Sequence, residues 1–140
     1  MPIAATDFAH VRLTVRDIDV SRRFYDDVFG FDVAFELPED PDEQTREQLS
    51  FLFGGVIYRF PGGLLGLRPV APGDDSFDED RIGLDHLSLA VADRAALDHA
   101  VAVLDDLGIL HEDVKDVGGQ AILEFRDPDG IALEIAAPTS

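Results

Sequence analysis

No cysteine occurs in the 140-residue chain, so disulfides and thiolate ligands are excluded. Any metal site must then be built from histidine and carboxylates. Basic residues are scarce: 11 Lys and Arg against 29 Asp and Glu leave a formal net charge of −18. A surface of that sign repels phosphate backbones and anionic lipid, which argues against nucleic-acid and membrane partners. Long apolar runs are also missing, and none approaches the roughly 20 residues required to cross a bilayer. The opening residues, MPIAATDFAH, lack the basic start and apolar core of a secretory signal. The expected address is therefore the cytoplasm. What remains is ordinary globular composition, 46% hydrophobic and 29% charged, expected to form a single domain over residues 1–140. A chain of this size buries about two thirds of the surface that its unfolded form exposes.

What the chain does have is a repeated strand. FAHVRLTVRD (Phe8 to Asp17) and LDHLSLAVAD (Leu84 to Asp93) align with His10 on His86, Leu13 on Leu89, Val15 on Val91 and Asp17 on Asp93. A helical pattern follows each copy. In the first, Val20, Phe24, Val28 and Phe29 recur at helical spacing before Gly30. In the second, Leu97, Ala100, Val101, Leu104 and Leu107 do so before Gly108. Asp19 and Asp93 read as N-caps.

β-rich sequence comes next in both halves: FDVAFEL, LSFLFGGVIYRF and LLGLRPV in the first, HEDVKDV, QAILEFRD and IALEIAA in the second. Pro61 and Gly63 match Pro128 and Gly130 at an offset of 67 residues. The extra residues of the first half fall in a loop around Pro38 to Glu47. The pattern predicts an α+β fold of two βαβββ modules forming a half-open, barrel-like cleft. The modules span residues 6–71 and 82–138, with an acidic linker over 72–81.

Equivalent strands of a duplicated module should lie symmetrically about a cleft, with His10 facing His86. Alternation along a strand places Arg12 and Thr14 on the side of His10, and Ser88 and Ala90 on the side of His86. In the last strand Leu133 and Ile135 must cover the helix, so Glu134 looks into the cleft. Two imidazoles and one carboxylate on a concave surface make a competent divalent-metal site with open positions. A single histidine at a strand start is more often structural; the repeat-related pair with a cleft-facing glutamate favours metal.

HVRLTV, SRRFYDDVFGF, DHLSLAVAD and FRDPDGIALEI together resemble the vicinal oxygen chelate proteins. These include glyoxalase I, extradiol ring-cleaving dioxygenases, fosfomycin-resistance thiol transferases and bleomycin-resistance proteins. The resemblance implies metal ligands at His10, His86 and Glu134, holding Fe, Mn, Ni, Zn or Mg. The family's second ligand position falls on Leu67, or on Arg68 with the register shifted by one, and neither binds metal. Four-ligand glyoxalase chemistry is therefore disfavoured. Where the ring-cleaving and fosfomycin branches carry Tyr, ten residues before the final Glu, this chain has Glu124, a candidate catalytic carboxylate beside Glu134. Arg12 and Ser88 are candidate substrate contacts, although Arg12 could simply pair with Glu124. His99 and His111 are poorly placed to serve near a metal. DPDG, at Asp127 to Gly130, is first of all turn chemistry.

Three functional classes are compatible with these residues. The first is a metal-dependent lyase or isomerase acting on a small oxygen-bearing substrate. The second is an Fe(II) dioxygenase using the same trio. The third is a binding protein that sequesters a small molecule without chemistry, a role that does not need metal ligands. The resemblance also implies a homodimer, so light scattering at micromolar concentration should give twice the 15.3 kDa chain mass. A monomeric mass with metal still bound would remove that expectation.

Overall fold

Both repeats fold as βαβββ segments, and the α+β architecture read from the sequence is what the chain adopts. The computed structural model describes residues 1–139, which divide into two compact units with the boundary between Gly73 and Asp74. In the first unit the elements run β1 (His10–Thr14), α1 (Ile18–Val28), β2 (Asp32–Glu36), α2 (Glu43–Gln48), β3 (Val56–Phe60) and β4 (Gly63–Arg68). In the second they run β5 (Leu87–Ala90), α3 (Arg94–Asp106), β6 (Lys115–Val117), β7 (Gln120–Arg126) and β8 (Ala132–Pro138). The sheet orders are β1-β4-β3-β2 and β5-β8-β7-β6. In each, the first strand pairs in parallel with the last, and the remaining pairings are antiparallel.

The helices start and stop where local chemistry satisfies their ends. At the start of α1 the cap is Asp17, not Asp19: its carboxylate accepts from the Asp19 and Val20 amides at 3.0 and 3.2 Å. Asp19 sits instead in the first turn, where its charge complements the helix dipole. Asp93 caps α3 as expected, accepting from Ala96 at 2.9 Å. Gly30 and Gly108 follow the helices with φ of +61° and +69°, the left-handed stop that glycine adopts without a Cβ penalty. The residues between β2 and β3 are less loop-like than expected. Asp42 accepts from the Thr45 amide at 2.7 Å to start α2, and a 3-10 turn at Ser50–Leu52 replaces the beginning of the anticipated third strand.

The two units bury different chemistry. α1 packs on β4, and its buried side chains are Ser21 and Tyr25, whereas Val20 is exposed. A run of ring contacts then links Tyr25 to Phe29 (6.0 Å between centroids), Phe29 to Phe31 (5.0 Å) and Phe31 to Phe60 (4.8 Å). The Tyr58 hydroxyl lies under the sheet and donates to Asp26 at 2.9 Å, so this buried polar atom is satisfied. Burial and the neighbouring carboxylate both push the phenol's pKa up. The second unit is aliphatic: Leu97 and Leu104 of α3 pack with Leu123, Leu133 and Ile135 of the sheet, and Leu107 lies at the surface. The DPDG segment is a turn. Asp127 accepts from the Asp129 and Ile131 amides at 2.9 Å each, and Gly130 has φ +79°.

One glycine is set by close approach. A Cβ on Gly55 would sit 1.9 Å from the Leu67 carbonyl oxygen of β4, so Gly55→Ala must push two backbone segments apart. Urea unfolding of that variant is expected to show a loss of about 1–3 kcal/mol. Gly73→Ala, which meets nothing within 4 Å, should stay within about 0.5 kcal/mol of the parent.

Candidate functional site

Parallel pairing of β5 with β8 sets Ser88 opposite Glu134, and the β7–β8 ladder sets Glu124 on the other side of the same residue. Leu133 and Ile135 turn into the core at 2% and 4% exposure, so Glu134 points the other way, as the alternation predicts. The Ser88 hydroxyl donates to Glu134 Oε1 at 2.8 Å. The other oxygen, Oε2, lies 3.6 Å from His86 Nε2. On the far side of the ring, His86 Nδ1 is 2.5 Å from Asp85 Oδ1. Asp85 is the main reason the imidazole pKa is raised, with Glu134 contributing at longer range. Four consecutive groups, Asp85, His86, Glu134 and Ser88, thus form one chain of polar contacts.

Asp85, His86 and Glu134 line a concavity of about 630 Å³ in the second unit. Glu124 also lines it, and Lys115 Nζ holds its Oε1 at 2.9 Å. Arg126 closes another part of the wall through an ion pair with Glu79 and a 2.8 Å bond to the Gly130 carbonyl. The pair holds the Glu79 carboxyl pKa at about 2. His111 belongs to this wall too. Its Nδ1 faces the Glu112 carbonyl and its Nε2 faces Asp105, each at 2.7 Å. Both partners accept only, so both ring nitrogens donate in the charged form, and the pKa is raised, the Glu112 carbonyl acting most strongly.

The first unit carries the equivalent positions with other side chains. His10 opens β1, exposed, beside Leu64. Arg12 pairs with Gly66, and Thr14 with Arg68. Arg12 donates to the Phe51 carbonyl. The register corrects the expectation for Leu67, which is fully buried between Leu13 and Val56. Glu134 faces Ser88, Ser88 repeats Arg12, and Arg12 faces Gly66; the mirror of Glu134 is therefore Gly66. The turn motifs misled because the turns differ in length. β3 and β4 are joined after Phe60↔Gly63, whereas β7 and β8 are joined after Arg126↔Ala132.

Residues 7–135 match the sequence profile of the Glyoxalase/Bleomycin resistance protein/Dioxygenase superfamily. The chain belongs to this superfamily. A curated relative, the uncharacterized protein YaeR of Escherichia coli (strain K12), is 28% identical over 128 residues, covering 90% of this chain and 92% of that protein. A glyoxylase/bleomycin resistance protein/dioxygenase domain from Frankia sp. EAN1pec is 31% identical, with TM-score 0.77 over 98% of this chain and 95% of that one. The fosfomycin resistance protein FosX from Listeria monocytogenes, 14% identical, has TM-score 0.71 over 99% and 94%. At that identity the likeness is one of fold.

Superfamily proteins typically use a divalent metal. Among the described residues no group of three His, Asp or Glu side chains is arranged around one point. The donors that the structure does bring together are two, His86 Nε2 and Glu134 Oε2. Ligands held about 2.1 Å from one ion at neighbouring positions lie roughly 3–3.5 Å apart, so a separation of 3.6 Å suits a shared cation. Their surroundings fit as well, since metal-binding imidazoles commonly give the other N–H to a carboxylate, here Asp85. Asp85 immediately precedes His86 in the sequence, and that adjacency was the available signal. His111 and Lys115 carried none, because only tertiary pairing brings His111 beside Phe125 and Lys115 to Glu124.

The doubly donating state of His111 ties the end of α3 to the segment between α3 and β6. Its folded pKa lies above the ordinary 6.5, so its stabilisation is complete below that value and is lost as pH rises through the raised folded pKa. The group is largely screened, and the effect should be small. Thermal melts from pH 5 to 8 should show a pH-dependent decrease in the parent that His111→Ala flattens. An unchanged slope would count against this pairing.

Proposed function

We propose that this protein is a metal-dependent superfamily enzyme acting on a small oxygen-bearing molecule, with chemistry of the lyase or isomerase type. His86 and Glu134 are the ligands supported by geometry, and His10 is the third by the family pattern. The observation that carries the reading is the contact chain Asp85–His86–Glu134–Ser88. Its end members fix one ring tautomer and one carboxylate oxygen, and leave one donor atom of each inner member facing the other. A divalent ion held there supplies Lewis acidity toward a substrate's oxygens.

The other roles belong to the chain's own side chains. Glu124 shares the face of Glu134. Its Oε1 is held by Lys115, and Oε2 has no hydrogen-bond partner among the described residues. That oxygen is the proposed acceptor of a substrate proton. Lys115 orients the carboxylate, and Ser88, whose proton is committed to Glu134, offers only lone pairs to a bound molecule. The apolar part of the wall, Ile109, Leu110 and Phe125, keeps one side of the concavity free of competing hydrogen bonds.

Metal content, measured by mass spectrometry on protein purified without chelator or affinity tag, tests the site. About one divalent ion per chain is expected in the parent and in Glu124→Gln, and a sharp loss in His10→Ala, His86→Ala and Glu134→Ala. On any substrate that the parent turns over, Glu124→Gln should be slower by about 100-fold or more at full metal content. Oxygen consumption coupled to turnover would instead indicate dioxygenase chemistry. Full metal occupancy in the two histidine variants would overturn the site and leave a metal-independent binding protein.

A further inference from the structure

In a chain of net charge −18, Arg12 and Arg68 on the open face of the first sheet have no counter-ion among the described residues, and neither has Arg59 on the same face. Arg22, Arg94 and Arg126 each pair with a carboxylate. Arg12 and Arg68 form no ion pair among the described residues. They instead share one aromatic ring: the Arg68 guanidinium carbon lies 4.3 Å from the Phe53 centroid, and that of Arg12 5.9 Å. Two like charges set on one ring repel each other, and an anion between them would remove that cost. Arg12 also has a buried Nε with no hydrogen-bond partner among the described residues. Leaving such a donor unmet is costly, and an acceptor oxygen would satisfy it.

The sequence builds this arrangement locally. Gly66 sits beneath Arg12, where a Cβ would come 3.0 Å from Arg12 Cγ; lacking a side chain, it lets the arginine stem lie flat on the sheet. The Phe51 carbonyl takes the Nη2 proton of Arg12 and so fixes the guanidinium plane. Phe53 is held with φ +52°, a conformation that non-glycine residues seldom adopt, and the residue is 54% exposed. Phe35 and Phe51, each 43% exposed and in edge contact at 6.1 Å, are further exposed rings of the same unit. We propose that Arg12 and Arg68 form the oxyanion-binding end of a ligand site on the first unit, and that the ligand is a small aromatic carboxylate. Its carboxylate meets the guanidinium groups, for which a planar fork is the matching geometry. Its ring packs on Phe53 and its aromatic neighbours. The site uses no metal ligand, so it stands whether or not the protein binds an ion.

Benzoate is the probe, titrated into the full chain while the arginine Nε–Hε resonances are followed by NMR. Saturable shifts centred on Arg12 are expected. Benzamide, the neutral isostere, should bind at least about ten-fold more weakly, and inorganic phosphate should also be weaker because it lacks the ring. Arg12→Met and Arg68→Met keep the aliphatic stems and should each weaken benzoate by about ten-fold or more, or about 1.4 kcal/mol. Arg12→Lys preserves charge and folding while removing the fork, and should weaken binding as well. Arg94→Met should leave it unchanged. Equal binding of benzoate and benzamide would overturn the proposal, as would undiminished benzoate binding in well-dispersed spectra of the Arg12 variants. Phosphate as tight as benzoate would overturn the aromatic part.

Discussion

Parallel pairing between the first and last strands of each βαβββ unit is the constraint on which the rest of the structure depends. A parallel neighbour cannot be reached through a tight hairpin, so each chain segment must cross over by its helix and return by two antiparallel steps. That path fixes which residues share a face. In one unit it sets Leu13 against Leu67, and in the other Leu89 against Ile135, beneath the helix. One residue along, it sets Arg12 against Gly66 and Ser88 against Glu134 on the opposite surface. A slip of one residue would exchange core for site in both units at once.

Within that common frame the two halves have diverged in both layers. Under the helix, the first unit packs rings around Tyr25 and Tyr58, and the second packs leucines around α3. On the open face, the positions that carry Ser88, Glu134 and Glu124 in the second unit carry Arg12, Gly66 and Ile57 in the first. A carboxylate-rich surface and a guanidinium-bearing one have thus been written on the same strand register. Duplication supplied the scaffold, and substitution at outward positions supplied the chemistry, which is where function can change without loss of the core.

Much of this was legible in the amino-acid sequence, for reasons that can be traced. The paired strands, the glycine stops and the outward turn of Glu134 follow from short-range periodicity, and the structure keeps all three. Features that depend on turn length or on pairing between distant strands were not legible. Aligning Pro61 and Gly63 with Pro128 and Gly130 placed Leu67 in the site, because a difference in turn length is invisible until the ladder is seen. Asp17 displaced Asp19 as cap because its carboxylate reaches two amides. The contacts of Lys115 with Glu124 and of His111 with Asp105 require a tertiary arrangement that no spacing rule encodes.

The distribution of rings has a spectroscopic consequence. The chain has no tryptophan and two tyrosines, and both tyrosines, Tyr25 and Tyr58, are fully buried in the first unit. Near-ultraviolet dichroism and intrinsic tyrosine emission therefore watch the packing of α1 against its own sheet. The leucine-lined second unit, with Glu134 and His86, is almost dark to both. A chromophore placed there, for example by Phe125→Trp beside the concavity, would give each half of the duplicated fold its own optical signal.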